Sequence, residues 1–318
     1  MNDTTGTLQQ VGEFGLIDRI TEDLPEHPAV LIGPGDDTAL LQVPDGRVAV
    51  TCDVLVEGRH FRRDWSTPID VGRRAAAASL ADIAAMGGVA TALVVGFGAP
   101  GDTPAAWALG CTAGLREEAA SVGAVLIGGD VVEAPQIVIS VTALGDLQGR
   151  PPVRRSGAQP GDLVAIAGRF GWAAAGLTLL SRGFRSPKVL VDAHRFPVPP
   201  YAAGPAAADA GATAMIDVSD GLVADARHLA EASGVRIDLD TTDWEIAEPM
   251  QAAAAAYNVD PREWMLTGGD DHALLATFPA GAQLPDGFLV IGAVVSGDPE
   301  VLVDGATRTA DGGHRHFA

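Results

Sequence analysis

The chain of 318 residues carries one lysine, Lys188, against a large excess of acid: Lys and Arg together number 21, Asp and Glu 41, for a formal net charge of −20. A polyanion is held by arranged cationic side chains, so this balance argues against nucleic acid as a partner, and against an anionic membrane surface for the same reason. Only two cysteines are present, Cys52 and Cys111. They form neither a disulfide framework nor a zinc spacing, and they suit a reducing compartment. No apolar run approaches the roughly 18 residues that span a bilayer, and residues 1–10 are polar, without a basic-then-apolar leader. The expected location is the cytoplasm.

The scarcity of lysine also removes the commonest phosphate-binding devices. Lys188 sits in Arg185-Ser186-Pro187-Lys188 with no glycine cradle, so the Gly-x-x-x-x-Gly-Lys-Ser/Thr loop is missing. The valine-alanine-isoleucine-lysine strand and His-Arg-Asp loop of protein kinases are missing too. Nothing resembles a Ser-His-Asp or Cys-His nucleophile.

What the chain has instead is aspartate at points where secondary structure is expected to stop. These points are Gly33-Pro34-Gly35-Asp36-Asp37, Cys52-Asp53, Asp82, Gly128-Gly129-Asp130, Asp217-Val218-Ser219-Asp220-Gly221 and Gly268-Gly269-Asp270-Asp271, with Asp70 a weaker seventh. A bare like-charge pair near 4 Å costs about 4 kcal/mol at an effective dielectric of about 20. Converging carboxylates therefore imply bound cations or raised pKa values, and magnesium held by aspartates can in turn hold phosphate. Read singly, several points have plainer explanations. Gly33 to Asp37 has the residues of a tight turn, Ser219 or Asp220 fits a helix N-cap, Asp82 fits a structural ion pair, and His60 fits a structural histidine. Arg154-Arg155-Ser156-Gly157 offers a guanidinium fork to phosphate, or a solvated turn.

The apolar pattern alternates between strand and helix periods. Helix is expected near 14–21, strands over 38–43 and 47–51, and an alanine-rich helix over 70–86 whose apolar stripe includes Asp82. A strand over 90–97 follows, then a helix over 104–122 opened by Asp102 or Thr103, and strands over 124–127 and 137–144. The Pro- and Gly-rich segment 146–162 marks a domain boundary near its start, giving domains 1–145 and 146–318. Beyond it lie strands at 163–167, 214–216, 236–239, 274–278 and 288–294, with helices over 171–181 and 219–233. This is an α/β or α+β protein. The repeated Gly-Gly-Asp at 128 and 268 raises the question of an internal duplication.

Six stretches carry a family resemblance: residues 12–17 (GEFGLI), 35–41 (GDDTALL), 53–61 (DVLVEGRHF), 79–87 (SLADIAAMG), 155–158 (RSGA) and 217–222 (DVSDGL). In that order, over nearly the whole chain, they resemble the thiamine-monophosphate kinases of the PurM-like, AIR-synthetase-like superfamily. The resemblance implies a two-domain PurM-like fold: an N-terminal mixed sheet pairing across a homodimer, a C-terminal α/β domain, and an active site in the cleft between domains. It implies ATP-dependent phosphorylation of thiamine monophosphate to thiamine diphosphate, by direct in-line transfer assisted by several Mg²⁺ ions. The family's metal ligands map to Asp37, Thr51, Cys52, Asp53, Asp82, Asp130, Asp217 and Asp220, with Asp53, Asp130 and Asp220 central to catalysis. Its ATP contacts map to Gly129, Asp130, Arg155 and Ser219, and its substrate contacts to His60, Asp270 and His314. The chain departs from the family pattern at Cys52, where Thr or Ser is usual. It departs again at Gly268-Gly269-Asp270-Asp271-His272-Ala273, where the pattern reads Gly-Gly-Glu-Asp-Tyr-Glu. Other ATP-using members of the superfamily, a ribonucleotide-cyclising ligase or a selenophosphate synthetase, are the alternative enzymes; a non-catalytic metal- or nucleotide-binding module is the alternative outside enzymology.

Overall fold

A computed structural model describes residues 5–22, 24–34 and 39–308. The chain divides into two compact units, one comprising residues 1–83 and 89–148 and the other 84–88 and 149–318.

The first unit begins with two short helices, α1 (Leu8–Val11) and α2 (Glu13–Thr21), and a small antiparallel pair, β1 (Val30–Ile32) and β2 (Leu40–Leu41). It continues through β3 (Ala49–Val56), α3 (Pro68–Ala85), β4 (Val89–Ala99), α4 (Ala105–Ser121), β5 (Val125–Glu133) and β6 (Val138–Asp146). The four long strands form one sheet in the order β3-β6-β4-β5, antiparallel except for the β4–β5 pair. Helix α3 opens with a reciprocal cap: the Thr67 N–H donates to Asp70 Oδ2 at 2.8 Å, and the Asp70 N–H donates to Thr67 Oγ1 at 3.2 Å. This accounts for Asp70 as a helix-capping residue. Helices α3 and α4 touch backbone to backbone, because a Cβ on Gly72 would lie 1.9 Å from the Cys111 carbonyl oxygen and one on Gly114 2.1 Å from that of Ile69. The contact leaves Cys111 buried, its thiol pushed up to about 12 by desolvation and therefore inert.

The second unit runs β7 (Leu163–Ala167), α5 (Trp172–Ser181), α6 (Lys188–Arg195), α7 (Ala203–Asp209), β8 (Ala214–Val218), α8 (Leu222–Ser233), β9 (Arg236–Leu239), α9 (Glu248–Tyr257), α10 (Pro261–Thr267), β10 (Ala273–Phe278), β11 (Phe288–Val295), β12 (Glu300–Val303) and β13 (Ala306–Thr307). Its seven strands lie in the order β13-β12-β9-β11-β7-β10-β8, with only β12–β9 parallel. The central strands are continuous apolar runs because they are buried on both faces. Val164, Ile166, Ile216, Val218 and Leu275 pack with the α8 residues Leu222, Ala226 and Leu229. The alternate residues Ala165, Ala167, Met215, Leu274, Ala276 and Phe278 pack with Ala84, Ala85, Val153 and Ala207. Period-two alternation thus divides each strand between two cores.

The α/β class agrees with the sequence; several boundaries do not. The strand expected over 38–43 is reduced to Leu40–Leu41 among the described residues. The strand expected over 47–51 runs to Val56, so Asp53 lies inside it, paired with Val141. Gly128-Gly129-Asp130 likewise lies inside β5, paired with Val94, Val95 and Gly96. Ladder hydrogen bonds from neighbouring strands override the local turn preference of Gly and Asp. The second Gly-Gly-Asp, at 268–270, lies in the loop before β10, so the two copies are not placed alike. Neither Asp102 nor Thr103 caps α4: it has no side-chain cap, and the Ala105 N–H donates to the Gly6 carbonyl instead.

Candidate active site

Strand parity decides which acidic side chains of the first unit can meet. On β3, Thr51 and Asp53 point toward α3, whereas Cys52 points to the other side of the sheet. Thr51 Oγ1 donates to Asp82 Oδ2 at 2.5 Å, and the fully buried Ser79 donates to Asp53 Oδ2 at 2.7 Å and to the Val141 carbonyl at 3.0 Å. Ser79 and Asp82 are three residues apart on α3, the spacing that puts two side chains on one helix face. Two carboxylates and two hydroxyls from β3 and α3 are thereby brought together. The Cys52 thiol lies on the opposite face, 3.3 Å from Ser140 Oγ, so no sulfur enters this oxygen set.

Asp130 is not brought to that group within one chain. It lies on β5, at the other edge of the sheet from Asp53, and its pairing through Gly96 to Ser140 and Val54 puts it on the opposite face. Three strand spacings separate the two edges, about 14 Å. The Asp130 carboxylate is exposed and accepts from the neighbouring Val131 N–H at 3.0 Å. The adjacent Gly129 has a packing reason for its identity, since a Cβ there would lie 2.1 Å from the Val95 carbonyl oxygen. Among the described residues, no three His, Cys, Asp or Glu side chains converge tightly enough to hold a metal ion on their own.

His60 lies in the tight turn after β3, where its Nδ1 accepts from the Val56 N–H at 3.0 Å. A neutral ring so engaged carries its proton on Nε2. Asp37 and His314 lie outside the described residues.

In the second unit two loops are zipped together. Asp270 and His272, both in the left-handed region at φ 67° and 53°, donate their N–H groups to the Ser219 and Val218 carbonyls at 2.8 and 3.1 Å. Asp217, at the end of β8 and 4% exposed, accepts from His272 Nδ1 at 3.0 Å. The sequence reading gave His272 no role. Nor did it single out Asp225, which lies in the first turn of α8 and reaches back to accept from the Asp220 and Gly221 N–H groups, both at 3.0 Å. Helix α8 has no side-chain N-cap, so neither Ser219 nor Asp220 fills that role, and Asp225 instead holds the amides just before the first turn. Burial, with the Asp217 charge second, pushes the Asp225 carboxyl up to about 7. Asp271, named in the sequence as part of an acidic point, was given no role of its own. It is 5% exposed, its Oδ1 accepts from the Ala173 N–H at the start of α5 at 2.9 Å, and its Oδ2 has no partner among the described residues. Burial pushes it up to about 7, against the pull of the Ala173 and Gly171 amides. The only sequence signal for either was an aspartate beside a Gly-Asp turn.

Arg155 lies in the exposed loop leading into β7, with Arg154 beside it, and neither guanidinium has an ion-pair partner among the described residues. Each unit thus carries its own chemistry: the first a set of hard oxygen donors suited to a small divalent cation, the second two exposed guanidinium groups suited to phosphate.

These features define a class, and comparison agrees with it: residues 35–147 match the family model of the AIR synthase related protein, N-terminal domain. The chain is 52% identical over 312 residues to the thiamine-monophosphate kinase of Mycobacterium tuberculosis, covering 98% of this chain and 93% of that one. It is 40% identical over 322 residues to that of Corynebacterium glutamicum, covering 98% and 95%. Among solved structures, AaThiL complexed with AMPPCP and TMP superposes with a TM-score of 0.81 at 32% identity, covering 99% of this chain and all of that one. The chain belongs to the thiamine-monophosphate kinase family.

Proposed function

We propose that this chain transfers the γ-phosphoryl group of ATP to the phosphate of thiamine monophosphate, giving thiamine diphosphate and ADP. The observation that carries the reading is the full-length likeness to a structure complexed with an ATP analogue and TMP. Attack in this reading is direct and in line, as the family resemblance implies. Arg155 and the Gly129 and Ser219 backbone hold the nucleotide phosphates. His60 and Asp270 orient the acceptor.

The donors fit magnesium: Thr51, Asp53 and Asp82 on the first unit, and Asp217 and Asp220 on the second, offer oxygen only. Bound there, Mg²⁺ would neutralise charge on the transferring phosphoryl group. Ser79 orients Asp53, Thr51 orients Asp82 and His272 orients Asp217, so the carboxylates are directed before any cation arrives. In this reading residues 1–145 supply the first set and 146–318 the second.

The working unit of this reading is a cytoplasmic homodimer. The sheet face opposite α3 carries Val50, Val54 and Val132, exposed by 59%, 48% and 53%. An apolar sheet face of this kind is suited to a second copy of the same surface. A partner also offers a route by which Asp130, remote from Asp53 in its own sheet, can complete a cation site.

The test is a coupled assay of ADP release with thiamine diphosphate measured in parallel. Equal amounts of both, dependent on thiamine monophosphate and Mg²⁺, are expected. ADP released without thiamine diphosphate would overturn the reading.

A further inference from the structure

The loop carrying Arg155 is held by a side chain with no assigned role. Ser233, the last residue of α8, accepts from the Gly157 N–H at 3.1 Å and the Ala158 N–H at 3.2 Å, and donates to the Arg155 carbonyl at 3.0 Å. One hydroxyl thus satisfies three backbone groups of the segment 155–158. The loop is pinned on its other flank as well. The Met215 N–H donates to the Arg154 carbonyl at 3.0 Å, and Gly157, at φ 143°, lies so close that a Cβ there would be 2.2 Å from the Thr213 carbonyl oxygen. The segment is therefore fixed to α8 on one side and to the start of β8 on the other, while the guanidinium groups of Arg154 and Arg155 stay exposed, with no ion-pair partner among the described residues.

We infer that Ser233 is a positioning residue for the nucleotide: its hydroxyl locks the 155–158 backbone so that Arg155 presents its guanidinium to the phosphates of ATP. The inference rests on the assignment of Arg155 to ATP. Holding in advance the backbone that carries Arg155 lowers the ordering cost of binding, and the fork geometry of a guanidinium rewards a fixed approach. The bonds to Ser233 lie at the solvent-accessible edge of the loop, so water can replace them when the hydroxyl is removed. Loss of folding is not the expected consequence.

The experiment uses the full chain and measures ATP binding by calorimetry with Mg²⁺ and without acceptor. Ser233→Ala is expected to weaken ATP about tenfold while the KM for thiamine monophosphate stays within about twofold, and Ser233→Thr to recover most of the loss. Arg155→Ala should weaken ATP on its own, and adding Ser233→Ala to it should weaken ATP no further, because a residue acting through Arg155 has nothing left to position. Unchanged ATP binding in Ser233→Ala would overturn the inference. So would losses that multiply in the double variant, or a KM for thiamine monophosphate that rises in step. Because binding is read without acceptor, a chain that binds ATP but leaves thiamine monophosphate untouched defeats the acceptor assignment and leaves this test standing.

Discussion

If Asp53 and Asp130 bind one Mg²⁺ ion, they must come from different copies of the chain. In one sheet they sit at opposite edges, on β3 and β5, and face opposite sides. The separation across three strand spacings is about 14 Å, whereas one Mg²⁺ with bonds of about 2.1 Å joins oxygens about 4 Å apart at most. No rotamer of an aspartate closes that gap. The perturbation is a pair of variants, Asp53→Asn and Asp130→Asn, each isosteric and each removing one charged ligand. Alone, each homodimer should lose turnover by about a hundredfold or more, since a charge-stabilising ligand is removed from both sites. Co-expressed with two different affinity tags, they form a heterodimer in which one site carries both substitutions and the other carries neither. With two-fold symmetry one site in two is intact, so the purified heterodimer should recover about half of the wild-type rate per dimer. The assay is ADP release with thiamine monophosphate and Mg²⁺, alongside light scattering to establish the dimer. A heterodimer as inactive as its parents would refute the reasoning and return both residues to one chain.

Two further substitutions probe the residues that hold the carboxylates. Ser79→Ala removes the hydroxyl that orients Asp53, and the variant should need about tenfold more Mg²⁺ for half-maximal rate while losing only about 1 kcal/mol of stability; an unchanged Mg²⁺ response would disconnect Ser79 from the site. Asp271→Asn tests the buried carboxyl whose folded pKa is raised from 3.8 to about 7 by desolvation. Because the folded state keeps its proton where the unfolded state has lost it, this group's relative stabilisation is complete below about pH 4 and is lost as pH rises to about 7. The span is roughly 4 kcal/mol at most. Thermal unfolding of the metal-free chain should therefore show a shallower fall in stability from pH 5 to pH 8 in the variant, with Asp225 supplying what remains. Identical slopes would show that Asp271 does not titrate in this range.

The family and its chemistry were legible in the chain because they depend on residue types in a fixed order. Acidic points at 53, 82, 130, 217 and 220, hydroxyl neighbours and a near absence of lysine are composition and order, and the matched stretches carried all of these aspartates but Asp130. The strand and helix alternation was legible as well, since apolar period is a local property. Boundaries at the acidic points were not. Asp53 and Asp130 read as residues that end strands, yet both lie inside them, because inter-strand pairing with Val141 and Gly96 extends the ladder past residues that prefer turns.

By itself, then, the sequence determined which functional groups this protein owns and that the chain is an α/β member of a phosphoryl-transferring family. Tertiary structure alone decided which of them meet. That Thr51 and Asp53 face α3 while Cys52 faces away follows from strand parity against a helix remote in sequence. That Asp225 and Asp271 hold their protons near neutrality follows from burial, which no local pattern reveals. That a serine ending α8 secures the loop of Arg155 follows from a contact spanning 78 residues. Local chemistry is written in residue identity, but register, burial and long-range hydrogen bonds exist only once the chain has closed on itself.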